Sequence, residues 1–193
     1  MKIHVICVAY YRDVSLRGLV DSFLLQTDPN WLLYVIHDGK TPPKVKKIED
    51  LYCDDRVLFT ESDNRKQKYG HPNRRYMLEK LPSNNDYVLM TNDDNYYVPR
   101  FVEFMLREAS DDVGIIYCDT VHSHCQYNIN YSELKETHID MGAFIVRLDI
   151  AKKVGFKEVC FAADGKYAEA CNKYCLDRGI KTVHVPKALF VHN

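Results

Sequence analysis

The chain has 193 residues and 46% hydrophobic content, enough for one domain with a full core. Its 26 basic residues against 27 acidic give a formal net charge of −1, so there is no global field for nucleic acid or an anionic membrane. The longest apolar runs are strand length, far below the roughly 20 residues of a spanning helix, and no transmembrane segment is expected. Peripheral contact with a membrane stays open.

Met1-Lys2-Ile3-His4-Val5 lacks the apolar stretch of a signal peptide and reads as the first strand. Seven cysteines, an odd number scattered through presumptive strands and helices, read as free thiols in a reducing compartment. A cytoplasmic location is the expectation.

In chain order, residues 3–9 form an apolar strand. Asp13 or Ser15 can cap the helix that follows, where Leu16, Leu19, Val20, Phe23 and Leu24 recur at helical spacing. Residues 31–37 are a second strand, broken by Asp38-Gly39-Lys40-Thr41-Pro42-Pro43. A short charged helix over 45–52 and a strand at 57–59 come next. The polar stretch 61–73 follows, in which Arg65, Lys66 and Lys68 read as a solvated loop.

A helix near 75–81 leads into Tyr87-Val88-Leu89-Met90, which suits a strand buried on both faces. Residues 99–109 read as a helix with Pro99 in its first turn. A strand at 113–118, an irregular stretch at 119–138, a strand at 143–146 and a short helix at 148–154 come after. A helix over 164–178, stopped by Gly179, and a last strand at 182–185 complete the chain. Strands alternating with helices predict an α/β fold, a mainly parallel twisted sheet flanked by helices in a single domain over 1–193.

The strand at 87–90 runs into Asn92-Asp93-Asp94-Asn95. In an open α/β sheet, ligands bind at the carboxyl ends of the strands. Adjacent carboxylates there are hard oxygen ligands suited to Mg²⁺ or Mn²⁺, a metal that commonly shares its coordination sphere with substrate phosphates. Asp94 is the expected main ligand, with Asp93 beside it. The tetrad taken alone reads rather as a solvated turn, and it is the apolar strand before it and the matching sites elsewhere that favour the metal.

The order of Val8-Ala9-Tyr10-Tyr11-Arg12, Val35-Ile36-His37-Asp38-Gly39 and Thr91-Asn92-Asp93-Asp94-Asn95-Tyr96-Tyr97-Val98-Pro99 resembles glycosyltransferase family 2. These are inverting enzymes of the GT-A fold, and the nearest look is to the bacterial spore-coat polysaccharide type. The likeness continues through Ile139-Asp140-Met141 and Asp164-Gly165.

The resemblance implies a nucleotide-sugar-binding half over 1–99 and an acceptor half over 100–193. Tyr10 would stack on the base of a nucleoside-diphosphate sugar, and Asp38 would accept from a uracil N–H. Asp93 would hold the ribose, and Asp94 the metal that bridges the phosphates. His37-Asp38 stands where the family commonly has two acids, which leaves the base less defined than UDP alone. Arg74 and Arg75 fall in the segment that lines sugar and phosphates, and guanidinium suits phosphate.

Asp164 matches the general base that would deprotonate the acceptor hydroxyl, with Asp140 its rival. The family's Glu-Asp is Ala163-Asp164 here, and Asp164 also fits as a helix N-cap. His192 is a candidate extra metal ligand or simply a chain end.

The expected activity is inverting, metal-dependent transfer of a hexosyl or N-acetylhexosaminyl group to a carbohydrate or lipid-linked hydroxyl, as in surface polysaccharide synthesis. Two alternatives stand beside it. A catalytically silent nucleotide- or carbohydrate-binding domain is one. A nucleotidyltransferase is the other, although it would need a Gly-rich phosphate loop where Tyr10-Tyr11-Arg12 stands. Cys118, His122, His124 and Cys125 are zinc-ligand types at a spacing unlike that of zinc sites. Cys171 and Cys175, four apart on a helix, read as packing residues.

Overall fold

A computed structural model describes all residues 1–193. In chain order the elements are β1 (Ile3–Ala9), α1 (Asp13–Leu24), β2 (Trp31–His37), α2 (Pro43–Glu49), β3 (Val57–Glu61), α3 (His71–Lys80), β4 (Tyr87–Asn92) and β5 (Tyr96–Tyr97). There follow α4 (Phe101–Arg107), β6 (Val113–His122), β7 (Ile129–Asn130), β8 (Phe144–Arg147), α5 (Leu148–Val154), α6 (Ala163–Leu176) and β9 (Lys181–His192).

β1 carries almost only apolar side chains, so it must lie where both sheet faces are covered. It is buried along its whole length and pairs in parallel with β2 on one side and β4 on the other. The sheet order is β3-β2-β1-β4-β8-β6-β9-β5, with β7 paired to β6. β8 is the antiparallel strand between β4 and β6, and β6 and β9 are parallel again. From β1 the chain goes through α1 to β2 on one side, and it reaches β4 on the other only after α3. The sheet's direction of growth therefore switches at β1 and β4, and a crevice opens at their carboxyl ends.

Two local devices shape that crevice. The Asn95 amide and the Tyr97 hydroxyl both donate to Thr91 Oγ1, at 3.1 and 2.9 Å, folding the chain back after β4 so that β5 reaches β9. Gly70, at φ 75°, lets the start of α3 settle on β1, because a Cβ there would lie 2.6 Å from Val8 Cγ1.

Several expectations shift. α1 begins after Arg12 with no side-chain cap, so neither Asp13 nor Ser15 caps it. Pro99 lies in the turn before α4 rather than inside it. β6 runs on to His122, and β9 extends seven residues past Val185 to His192, each stabilised by the other. Cys171 and Cys175 are buried in the core, as packing residues should be. Cys118 is buried within β6 while Cys125 is exposed, and no three His, Cys, Asp or Glu side chains are arranged to hold a metal unaided. No helix is long and apolar enough to cross a membrane.

Candidate active site

Two cavities adjoin at the carboxyl edge of the sheet. The first, about 310 Å³, is lined by Tyr10 and Arg12 after β1, Asp38 after β2, Arg74 of α3, and Asp93 and Asp94 after β4. The second, about 390 Å³, holds Asp140, Asp164, His122, His124 and Phe161. Tyr69, Asn92 and His192 line both and form the wall between them.

Asp93 is buried, and its Oδ2 accepts the Tyr10 backbone N–H at 3.0 Å. Burial pushes its carboxyl up to about 6, against the lowering effect of that N–H and of Arg12. Asp94 Oδ2 accepts from Arg12, while its Oδ1 is buried with no hydrogen-bond partner. An orphaned carboxylate oxygen on a residue that lines the cavity is what a hard divalent cation would satisfy. The residues therefore fit such an ion, provided that the rest of its oxygen ligands come from a substrate.

Tyr10 lines the first cavity, but one ring face is covered by the Arg65 guanidinium, 3.8 Å from its centroid. Arg65 thus walls the site, although it lies in the solvent-exposed loop that the sequence leads one to expect. Asp38 is buried and ties down that same loop. Its Oδ1 accepts from Lys66 N (2.7 Å) and Asn73 Nδ2 (2.8 Å), and its Oδ2 from Gln67 N (2.9 Å). The loop is held in a costly shape, with Gln67, Lys68 and Tyr69 all at positive φ.

Arg74 is buried, donating to Tyr69 O at 2.6 Å, to Thr91 O at 3.2 Å and to Asn92 Oδ1. Burial disfavours its charge, while Asp140, Asp93 and Asp164 lie close enough to favour it. Arg75, one residue on, points elsewhere. Its guanidinium holds the carbonyls of Phe156 (2.7 Å from Nε) and Lys157, and it lines neither cavity. A helix turns about 100° per residue, so neighbours cannot share a face.

In the second cavity Asp164 is half-buried, and Oδ1 accepts the Gly165 N–H at 2.9 Å. Burial first, and the Asp140 charge second, raise its carboxyl to about 6. Asp140 is more heavily engaged. Its Oδ1 accepts the Gly142 N–H at 2.8 Å, and its Oδ2 lies 2.8 Å from His192 Nδ1. Burial would lower His192, but Asp140 outweighs it and leaves the imidazole raised. His192 is no loose end: it closes β9 in register with His122, their rings stacked with centroids 4.2 Å apart.

The Glycosyl transferase family 2 model matches residues 4–166. The chain belongs to that family. Its fold is that of GT-A glycosyltransferases: it superimposes on TarS 1–349 of S. aureus with a TM-score of 0.76 at 16% identity, covering 100% of this chain and 60% of that one. TarS 1–349 in complex with UDP-GlcNAc gives 0.75 at 17% identity, over 99% of this chain and 58% of the other. The mannosyltransferase PcManGT of Pyrobaculum calidifontis, in complex with GDP-Man and Mn²⁺, gives 0.71 at 13%, over 99% and 56%. This family 2 domain thus spans about 60% of the TarS fragment's length.

Sequence reasoning missed Arg12, Tyr69 and Phe161 as site residues and marked His122 and His124 only as zinc-ligand types. Arg12 follows the first strand directly, and that position alone could have flagged it. The others reach the site only through β6, β9 and two loops whose course the pattern of residues does not reveal.

Proposed function

We propose that this family 2 domain transfers a sugar from a nucleoside diphosphate, UDP by preference, to an acceptor hydroxyl with inversion. The observation that carries the reading is the pair of adjoining cavities: a carboxylate pair with an orphaned oxygen in one, and a half-buried, raised carboxyl in the other. The first cavity takes the donor, with Tyr10 against the base, Asp38 near its edge and Asp93 at the ribose.

Asp94 would hold Mn²⁺ or Mg²⁺, with Asp93 and His192 able to assist. The metal, when bound, neutralises the charge that builds on the departing diphosphate. PcManGT's complex with Mn²⁺ supports that choice. Arg74 contributes a second positive charge close to the acids.

The second cavity takes the acceptor. Asp164 Oδ2 is the carboxylate oxygen with no partner from the chain, whereas both oxygens of Asp140 are engaged, which favours Asp164 as base. A carboxylate raised to about 6 is close to the working pH, where a general base is most effective. Attack from the cavity opposite the diphosphate inverts the anomeric carbon.

Phe161 and Tyr69, 84% and 63% exposed, meet edge to face at 6.1 Å at the mouth, while Asn130 and Thr137 are among its polar walls. Aromatic faces with polar walls suit a pyranose, so a carbohydrate acceptor is favoured over a lipid chain. The unpaired thiols accord with the cytoplasm.

The test is a thermal-shift panel of UDP, GDP and their sugars with and without Mn²⁺, followed by assay of UDP-sugar hydrolysis. A metal-dependent rise in melting temperature with UDP, and slow hydrolysis of a UDP-sugar, are expected. Binding without any turnover would replace this reading with a silent nucleotide-binding domain, and no binding would overturn both.

A further inference from the structure

Arg12 stands where a cation is expected. Its Nη1 lies 3.4 Å from Asp93 Oδ1 and is hydrogen bonded to Asp94 Oδ2, so one guanidinium nitrogen serves both acids. The acids are sunk, with side chains 5% and 20% exposed, while the Arg12 side chain is 54% exposed and reaches in from the rim. Its base is fixed at both ends. Tyr11 before it holds a left-handed φ of 58°, and α1 starts directly after it.

We infer that Arg12 is the resident counter-ion of the acid pair in the ligand-free protein, and that it hands Asp94 to the divalent cation and turns onto the donor's phosphates. This rests on the metal–diphosphate reading above.

The argument is one of charge and reach. Two adjacent carboxylates at the edge of a core repel each other and need a cation nearby. A guanidinium cannot give up its proton, so it offers a permanent charge where a lysine or histidine could be neutralised. A divalent ion on Asp94 would sit against that charge, and the two repel at such short range. With Arg12 on Oδ2 and only Oδ1 unpartnered, an ion on Asp94 competes with the guanidinium for the charge of one carboxylate. The guanidinium is the one free to leave, since its side chain is half in solvent and makes no other hydrogen bond.

Its planar fork suits phosphate oxygens. The bound diphosphate therefore takes up the displaced arginine as it supplies the metal with oxygens. Metal and nucleotide bind poorly apart and well together.

The experiment is calorimetric titration of Mn²⁺ alone, UDP alone, and UDP at saturating Mn²⁺, into the wild type, Arg12→Gln, Arg12→Lys and Asp94→Asn. Arg12→Gln should bind Mn²⁺ alone about tenfold more tightly than wild type, and UDP with Mn²⁺ about tenfold more weakly. Arg12→Lys keeps the charge and should resist Mn²⁺ alone as wild type does. Melting curves establish that each variant is folded, which the exposure of Arg12 leads one to expect.

If Asp94→Asn removes Mn²⁺ binding but Arg12→Gln leaves it at or below the wild-type strength, the exchange is refuted and the metal site stands. If Asp94→Asn changes nothing in any titration, the metal–diphosphate reading itself falls.

Discussion

His192 Nδ1 lies 2.8 Å from Asp140 Oδ2, across the wall that separates the two cavities. If His192 assists a metal as proposed above, the pairing would set the pH at which it can do so, because only the neutral imidazole has a lone pair to give. Asp140 raises His192, so the ring stays protonated to higher pH than a free histidine. Asp140→Asn should therefore extend Mn²⁺ binding to lower pH, measured by titration between pH 5 and 8. An unchanged acid limb would remove His192 from the metal site.

Asp164 and Asp140 separate by turnover. Asp164→Asn should lower transfer by about 10²- to 10⁴-fold, the usual worth of a general base, while UDP affinity changes by less than about twofold. Asp140→Asn should keep turnover within about tenfold of wild type. Wild-type kcat should rise with pH through about 6, as the Asp164 carboxyl loses its proton. A fully active Asp164→Asn enzyme would transfer the role to Asp140.

Asp93 costs the ligand-free fold stability. Its carboxyl sits at about 6 in the folded chain against an ordinary 3.8, so the folded state holds the proton more tightly. That advantage is complete below about pH 4 and is lost as pH rises through 6. At pH 7.5 Asp93→Asn keeps an acceptor for the Tyr10 N–H without the buried charge. It should raise the unfolding free energy by on the order of 2 kcal/mol in urea titration, and weaken UDP binding. Equal stability at pH 5 and at pH 7.5 in both proteins would contradict this.

Arg75 should behave as a strut. Removing it frees the Phe156 and Lys157 carbonyls, which at the usual worth of such bonds costs about 1–3 kcal/mol. Arg75→Ala should melt earlier and still bind UDP with Mn²⁺ at wild-type strength. A selective loss of nucleotide binding would return it to the donor site.

Phe161 faces solvent at the mouth of the second cavity, so its loss should leave the fold intact. Phe161→Ala should raise the KM for a saccharide acceptor about tenfold and leave UDP-sugar hydrolysis in water unchanged. If hydrolysis falls in step with transfer, the ring belongs to the donor side.

How much of this was legible in the residues follows from where each structural signal resides. β1 and β2 carry largely apolar runs closed by Tyr10-Tyr11 and by Asp38-Gly39, and the structure bounds them at the expected positions. The long β6–β9 pair was not legible. Thr120, Val121 and His122 look polar and irregular until β9 lies beside them, and β9 in turn holds Pro186 and Lys187, which hide a strand. Pairing with a distant partner overrides such local signals.

At the site, Asp93, Asp94 and Asp164 announce themselves as acids at element ends. Arg75 misled because guanidinium chemistry says what a side chain can bind, whereas helical phase decides which way it points. Arg12 has no role in the sequence reading and Arg65 only that of a loop residue, because their places depend on loop conformations, including the left-handed Tyr11.

Tyr69, Asn92 and His192 face into both cavities at once. A ligand that fixes these side chains from one side has already paid their ordering for a ligand on the other. Were each cavity to take a substrate that touches these side chains, thermodynamic reciprocity would require any coupling between the two to be equal in both directions. A partition held in common is the route by which occupancy of one cavity would be felt in the other.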